Sequence, residues 1–165
     1  MKKVSIILFV LITAMVLQAG QMLPQFKLRN LNNQWQQFKD VKGEHLTVID
    51  FWATWCGPCK RAIPKLNDMY ETYQSEGVNF VGLNVDSPRN TAKIPAFVAA
   101  HKMEYPVLKD PDGALSSKLN ISAIPTLIIV NSEREIVYRH TGYRPGDDKV
   151  IETELKKLLN AHESE

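Results

Sequence analysis

The order of apolar and polar residues predicts that strands alternate with helices through the first half of this chain. Two nearly unbroken apolar runs, at residues 46–53 and 78–85, are typical of strands buried on both faces. From Lys60, apolar residues recur at helical spacing until Gly77, which predicts one long helix between these strands.

Shorter elements are predicted on either side of this unit. Residues 24–31 alternate, and a turn signal at residues 32–33 indicates an N-terminal β-hairpin. The second half predicts helices at 95–101 and 114–119, an extended piece at 105–108, strands at 126–130 and 135–143, and a last amphipathic helix capped by Asp147. Together these elements predict an α/β fold with a central mixed β-sheet flanked by helices.

The first twenty residues differ in composition from the rest. Lys2 and Lys3 precede an almost wholly apolar run at residues 4–17, and small residues follow. We interpret residues 1–20 as a secretory signal peptide, with a short uncleaved N-terminal anchor as the alternative. Residues 21–165 are then long enough for one domain.

Charge gives no sign of a polyanionic partner. The chain carries a formal charge of +2, and without the two leader lysines it has 18 basic and 18 acidic residues. No basic surplus is left to attract nucleic acid or anionic lipid. We expect a monomer that binds no nucleic acid.

The only two cysteines, Cys56 and Cys59, lie between the first buried strand and the long helix. A helix N-terminus offers unpaired N–H groups and a partial positive charge, which favour a thiolate. We therefore predict thiol-disulfide exchange, with Cys56 as an exposed attacking thiolate and Cys59 as the resolving thiol.

Other uses of a cysteine pair remain open. A structural zinc site needs four ligands, and the four histidines lack the usual ligand spacing. An inert disulfide would close a very short loop and stabilise little. Copper(I), which soft thiolates select, could be held by a non-enzymatic chaperone or binding module that uses the same groove. We predict no cofactor and no metal site.

Several motifs resemble those of exported thioredoxin-like proteins of the TlpA/ResA type over residues 22–160. The motifs are the Asp-Phe-Trp-Ala of residues 50–53, the Trp-Cys-Gly-Pro-Cys-Lys of residues 55–60, Pro64, the Ile-Pro-Thr of residues 124–126, and Gly142. The resemblance implies a thioredoxin fold with an N-terminal β-hairpin and an inserted segment around residues 88–110.

Asp50 is a carboxylate inside an apolar strand, so burial should raise its pKa. Its expected role is general base for Cys59 through a water molecule, and the alternative is a structural core acid. Ala62 and Gly82 stand where related proteins often carry Glu and Lys. Asp50 is then the one acid-base group that the resemblance supplies.

The resemblance also implies a substrate-binding surface around the cysteines. A cis peptide bond before Pro125 would present the backbone of Ile124 to a substrate strand. Pro58 is tolerated in the first helical turn, and Gly57 would leave room for a substrate chain. Trp55 is expected to form an apolar collar, unless it is an ordinary rim aromatic.

The function expected from this resemblance is reduction of protein disulfides outside the cytoplasm, in the periplasm or at the outer face of the cytoplasmic membrane. Apocytochromes c are candidate substrates, and the implied electron donor is a membrane protein of the DsbD/CcdA kind. Within enzymes, the alternative is a thiol oxidase or isomerase. A peroxidase related to peroxiredoxins would share the general fold but usually lacks this arrangement of two cysteines.

Overall fold

The computed structural model describes residues 20–163. The predicted signal peptide therefore lies, except for Gly20, outside the described residues. The strands are β1 Lys27–Asn30, β2 Trp35–Gln37, β3 Leu46–Trp52, β4 Val78–Asn84, β5 Val107–Lys109, β6 Thr126–Asn131 and β7 Ile136–Thr141. The helices are α1 Phe38–Val41, α2 Gly57–Tyr73, α3 Ile94–Ala100, α4 Ala114–Lys118 and α5 Asp147–Glu163.

The strands form one seven-stranded sheet in the order β2-β1-β5-β4-β3-β6-β7. β3 pairs parallel to β4 and antiparallel to β6, and β4 pairs parallel to β5. The sheet is therefore mixed, which confirms the predicted architecture. None of the helices between residues 20 and 163 is long and apolar enough to span a membrane.

The predicted N-terminal hairpin and inserted segment are both present. β1 and β2 pair antiparallel, and the Asn30 side chain accepts hydrogen bonds from the backbone N–H groups of Asn32 and Gln34 in the turn. Between β4 and β5, the inserted segment consists of a 3₁₀ helix at Pro88–Lys93 followed by α3. Because it joins two parallel neighbours, it runs over one face of the sheet.

Helices cover both faces of the sheet, which is why β3 is buried along its whole length. Alternate residues of a strand point to opposite faces, so Val48, Asp50 and Trp52 share one face. Val48 and Trp52 pack in a core cluster that includes residues of α2, α3 and α5. The opposite face packs against α1 and α4.

Three local predictions differ from the structure. α1 was not predicted, because its start depends on a capping contact in which Asp40 accepts the backbone N–H of Gln37 at 2.8 Å. α2 begins at Gly57 rather than at Lys60. Asp147 is the first residue of α5, and its carboxylate accepts the N–H of Arg144, which precedes the helix, at 2.7 Å.

Candidate active site

Cys56 and Cys59 form a disulfide at the N-terminus of α2, so the structure shows the oxidised state of the pair. Cys56 is the N-cap of the helix, and its Sγ accepts the backbone N–H of Cys59 at 3.2 Å. That N–H group belongs to the first turn, whose donors have no partner within the helix. It is therefore placed to stabilise a negative charge on the Cys56 sulfur after reduction.

The prediction that Cys56 is exposed is wrong for this oxidised state. Only 3% of Cys56 and none of Cys59 is accessible. The reason is geometric: the N-cap side chain folds back over the first turn, where its sulfur bonds to Cys59. The accessible groups at this surface are its neighbours Gly57, which is exposed, and Trp55, which is 65% exposed.

A buried carboxylate fixes the loop that precedes Cys56. Asp86 Oδ2 accepts the backbone N–H of Thr54 at 2.8 Å, and Oδ1 accepts the Thr54 hydroxyl at 2.9 Å. Asn84 Nδ2 donates to the same Oδ2 at 2.8 Å. The end of β4 is thereby tied to the active-site loop, a role that the sequence did not reveal because the two residues lie 32 positions apart.

The peptide bond between Ile124 and Pro125 is cis, which confirms the expectation drawn from the resemblance. The carbonyl of Pro125 accepts the N–H of Gly142 at 2.7 Å, which holds the loop against the end of β7. Within residues 20–163, the backbone of Ile124 takes part in none of the hydrogen bonds that join loops and turns. Its N–H and C=O groups are thus free to pair with another chain.

An open cavity of about 430 Å³ lies beside this loop. Its lining brings together Trp55 and Ile124, two of the predicted substrate-binding residues. Gly57, Pro58 and Pro125 are not among the lining residues. A Cβ atom added to Gly57 would meet no atom within 4 Å, so the space above the start of α2 is open. The remaining lining residues are Val85, Ser116, Ile121, Ser122 and Ala123.

Asp50 is 2% exposed, on the face of β3 that packs against α2. Burial raises its pKa from 3.8 to about 7, which confirms the predicted direction. Its Oδ2 atom has no hydrogen-bond partner. A carboxyl group with a pKa near neutrality can accept and release a proton under physiological conditions.

Across the described part of the chain, no group of three or more His, Cys, Asp or Glu side chains could hold a metal ion. The two cysteines are bonded to each other.

Comparisons with known proteins agree with this geometry. Residues 19–139 match the model of the AhpC/TSA family. The thiol-disulfide oxidoreductase ResA of Bacillus subtilis (strain 168) is 30% identical over 123 residues, which are 74% of this chain and 67% of that protein.

Two solved structures have the same fold. One is a Chlorobium tepidum protein assigned as the thiol:disulfide interchange protein DsbE, with a TM-score of 0.78, 28% identity and coverage of 87% of this chain and 99% of that one. The other is StoA from Bacillus subtilis, with a TM-score of 0.65, 26% identity and coverage of 82% and 96%.

Proposed function

We propose, because this chain belongs to the AhpC/TSA family and is a thiol-disulfide oxidoreductase with a thioredoxin fold, that it reduces disulfide bonds of proteins outside the cytoplasm. The observation that carries the proposal is the cysteine pair at the start of α2, with the buried Asp50 on the sheet face behind it. This arrangement supplies a stabilised nucleophile, a resolving thiol and a base.

The first step is attack by the reduced protein on a substrate disulfide. The Cys56 thiolate bonds to one substrate sulfur, and the other substrate sulfur leaves as a thiolate. The product is a mixed disulfide between Cys56 and the substrate. The Cys59 N–H group, which lies 3.2 Å from Cys56 Sγ, favours the thiolate before attack.

The second step releases the substrate. Cys59 gives its proton to the Asp50 carboxylate through a water molecule, and the resulting thiolate attacks Cys56 Sγ. The bond between Cys56 and the substrate breaks, and the second substrate sulfur leaves as a thiolate. Two electrons have then passed to the substrate, and the protein holds the Cys56–Cys59 disulfide that the structure shows.

Substrate docking is assigned to the surface around the cis-proline loop. Trp55 and Ile124 line one cavity, and the free backbone groups of Ile124 suit an extended substrate segment that adds a strand. The open space over Gly57 lets that segment approach the cysteines. Pro58 has no backbone N–H group. In the first helical turn such a group would have no partner within the helix, so a proline is tolerated beside the disulfide.

The compartment and the electron donor are part of the same proposal. The basic and apolar start of the chain supports export, and an exported dithiol needs a reductant to return from the disulfide state. A membrane dithiol protein of the DsbD/CcdA kind would supply both electrons. Apocytochromes c, whose haem-binding cysteines must be reduced, are the substrate class that we favour.

Trapping of mixed disulfides tests this function. The Cys59→Ser variant should accumulate covalent complexes between Cys56 and extracytoplasmic proteins, which mass spectrometry of the bonded peptides can identify. The matched Cys56→Ser variant should form none. Recovery of equal complexes from both variants would contradict the assigned order of attack.

The direction of electron flow needs a separate measurement. We expect the Cys56–Cys59 pair, equilibrated against a glutathione buffer, to be the stronger reductant of the two. A pair that oxidises glutathione would contradict the reductase proposal and favour the thiol oxidase or isomerase.

A further inference from the structure

Five buried side-chain polar atoms between residues 20 and 163 have no hydrogen-bond partner, and three of them belong to residues that lie around Gly82. These three are Asp50 Oδ2, the indole Nε1 of Trp52 and the hydroxyl oxygen of Tyr105. Folded proteins pair nearly all such groups, so three together require an explanation. Two of them, the indole N–H and the hydroxyl, are donors, and the third is an acceptor when Asp50 is ionised.

The three side chains meet around Gly82. Gly82 is the register partner of Asp50 across the parallel β3–β4 pair, so the two residues are side by side on the same face. A Cβ atom added to Gly82 would lie 2.9 Å from Trp52 Nε1 and 3.1 Å from Tyr105 Cε2, the ring carbon next to the one that bears the hydroxyl. Both rings therefore cover Gly82 directly beside Asp50.

Neighbouring rings hold these two donors in place. Trp52 stacks on Phe97 with ring centres 4.8 Å apart, and Tyr105 meets Tyr70 edge-on with ring centres 6.0 Å apart. Both Trp52 and Tyr105 are buried. Neither ring can turn its polar atom to solvent without leaving the core.

Electrostatic coupling between Tyr105 and Asp50 supports the same geometry. Burial, and after it the Asp50 carboxylate, raise the pKa of Tyr105 well above its usual value. The Tyr105 hydroxyl thus keeps its proton at any physiological pH and remains a donor. Asp50, by contrast, has a pKa of about 7 and exchanges its proton near neutrality.

We infer that Tyr105 is a positioning residue for Asp50. The Tyr105 hydroxyl, together with the Trp52 indole N–H, donates to the Asp50 carboxylate through one bound water molecule. The inference deepens the proposed function, on which it rests. In the resolving step, the proton of Cys59 passes to Asp50. Tyr105 keeps its own proton and only orients and stabilises the carboxylate that receives the transfer.

A small aromatic disulfide separates the step that Tyr105 should affect from the step that it should not. Reduced protein mixed with dithiobis-nitrobenzoate releases one coloured thiolate when Cys56 attacks and a second when Cys59 resolves the mixed disulfide. We expect Tyr105→Phe to leave the first release unchanged and to slow the second about tenfold, the effect of one lost hydrogen bond to a charged group. Tyr70→Phe, the same change on the neighbouring ring, should alter neither.

A second measurement, the infrared band of the Asp50 carboxyl group, should not change if Tyr105 only packs in the core. The infrared band of the protonated Asp50 carboxyl group, identified by its loss in Asp50→Asn, should shift in Tyr105→Phe and stay in place in Tyr70→Phe. In the Asp50→Asn background, Tyr105→Phe should no longer change the rate of the second release.

Two results would overturn the role of Tyr105. One is an unchanged carboxyl band in Tyr105→Phe, and the other is an equal slowing with and without Asp50. Both stopped-flow phases are measured on the purified protein with a small disulfide. A protein that showed the Tyr105 effect but trapped no protein substrate would therefore contradict the proposed function alone.

Discussion

The carboxylate of Asp86 holds Thr54, two residues before the first cysteine, by both of its oxygen atoms. Oδ2 accepts the backbone N–H of Thr54 at 2.8 Å, and Oδ1 accepts the Thr54 hydroxyl at 2.9 Å. Asp86 is completely buried, and Asn84 donates a further hydrogen bond to it. The loop that carries Cys56 is therefore fixed to the end of a core strand.

Replacement of Asp86 by alanine should strongly destabilise the oxidised protein. The change leaves three donors from Thr54 and Asn84 without their acceptor in a buried site, and we expect a loss of about 2–4 kcal/mol in the free energy of unfolding. Denaturant titration of the oxidised form measures it. Thr54→Val, which removes only the hydroxyl bond, should cost about 1 kcal/mol. Equal losses in the two variants would show that the backbone N–H contact contributes nothing.

Removal of the Trp55 side chain should impair substrate docking without affecting stability. Trp55 is 65% exposed, so Trp55→Ala should change the free energy of unfolding by no more than about 0.5 kcal/mol. We expect kcat/KM for a protein disulfide to fall about tenfold, as for an aromatic contact at the centre of an interface. Reduction of dithiobis-nitrobenzoate should be unchanged.

Trp35 offers a matched control for this experiment. It is 51% exposed but lies on β2, at the edge of the sheet opposite β7. Trp35→Ala should leave the reduction of both kinds of disulfide unaltered. If the two tryptophan variants lost the same activity towards a protein substrate, Trp55 would be a surface aromatic with no docking role.

A side chain at position 82 should not fit. The Cβ of Gly82→Ala would lie 2.9 Å from Trp52 Nε1, closer than real Cβ atoms approach, and the ring of Trp52 is fully buried. We expect a destabilisation of about 1–3 kcal/mol from overpacking. Gly57→Ala, made where a Cβ meets nothing within 4 Å, should unfold at the same denaturant concentration or a slightly higher one. A Gly82→Ala variant as stable as wild type would mean that the rings over Gly82 move easily.

Local signals in the sequence were sufficient for most of the fold. The apolar run that became β3 is buried along its whole length, and its character alone predicts a central strand. The cysteine pair lies at the start of α2 as predicted. In the sequence it stands between the end of an apolar strand and the beginning of a helical pattern, and this position indicates the N-terminus of the helix. Pro125 was expected to follow a cis bond only through resemblance, since the base rate for such bonds is about 5%.

Contacts between distant residues could not be predicted in this way. Thr54 and Asp86 are 32 positions apart, and nothing in the sequence indicates that their side chains meet. The sequence predicts only that Tyr105 begins an extended piece, whereas in the structure its ring lies over Gly82, beside Asp50. The burial of Cys56 depends on the direction in which an N-cap side chain folds, which residue spacing does not determine.

The stability of the protein should depend on pH through Asp50. Burial raises its folded pKa to about 7, above the value of 3.8 that it has when unfolded. A raised carboxyl pKa favours the protonated form in the folded state. The contribution of Asp50 to stability is therefore fully present below about pH 4, is lost as the pH rises to about 7, and is constant above that.

Asp50→Asn removes this titration. A comparison of the variant with wild type therefore measures how much Asp50 changes the free energy of unfolding with pH. In oxidised protein, the free energy of unfolding of the variant relative to wild type should rise by an amount on the order of 4 kcal/mol between about pH 4 and pH 8, because three pKa units correspond to that energy. Denaturant titrations at both pH values measure it. The variant should also release the second coloured thiolate more slowly at neutral pH, since Cys59 loses its base. If the difference in free energy of unfolding between the variant and wild type does not vary with pH, ionisation of Asp50 in the folded protein costs little. If the second thiolate is released at an unchanged rate, Asp50 is a structural acid and not the base for Cys59.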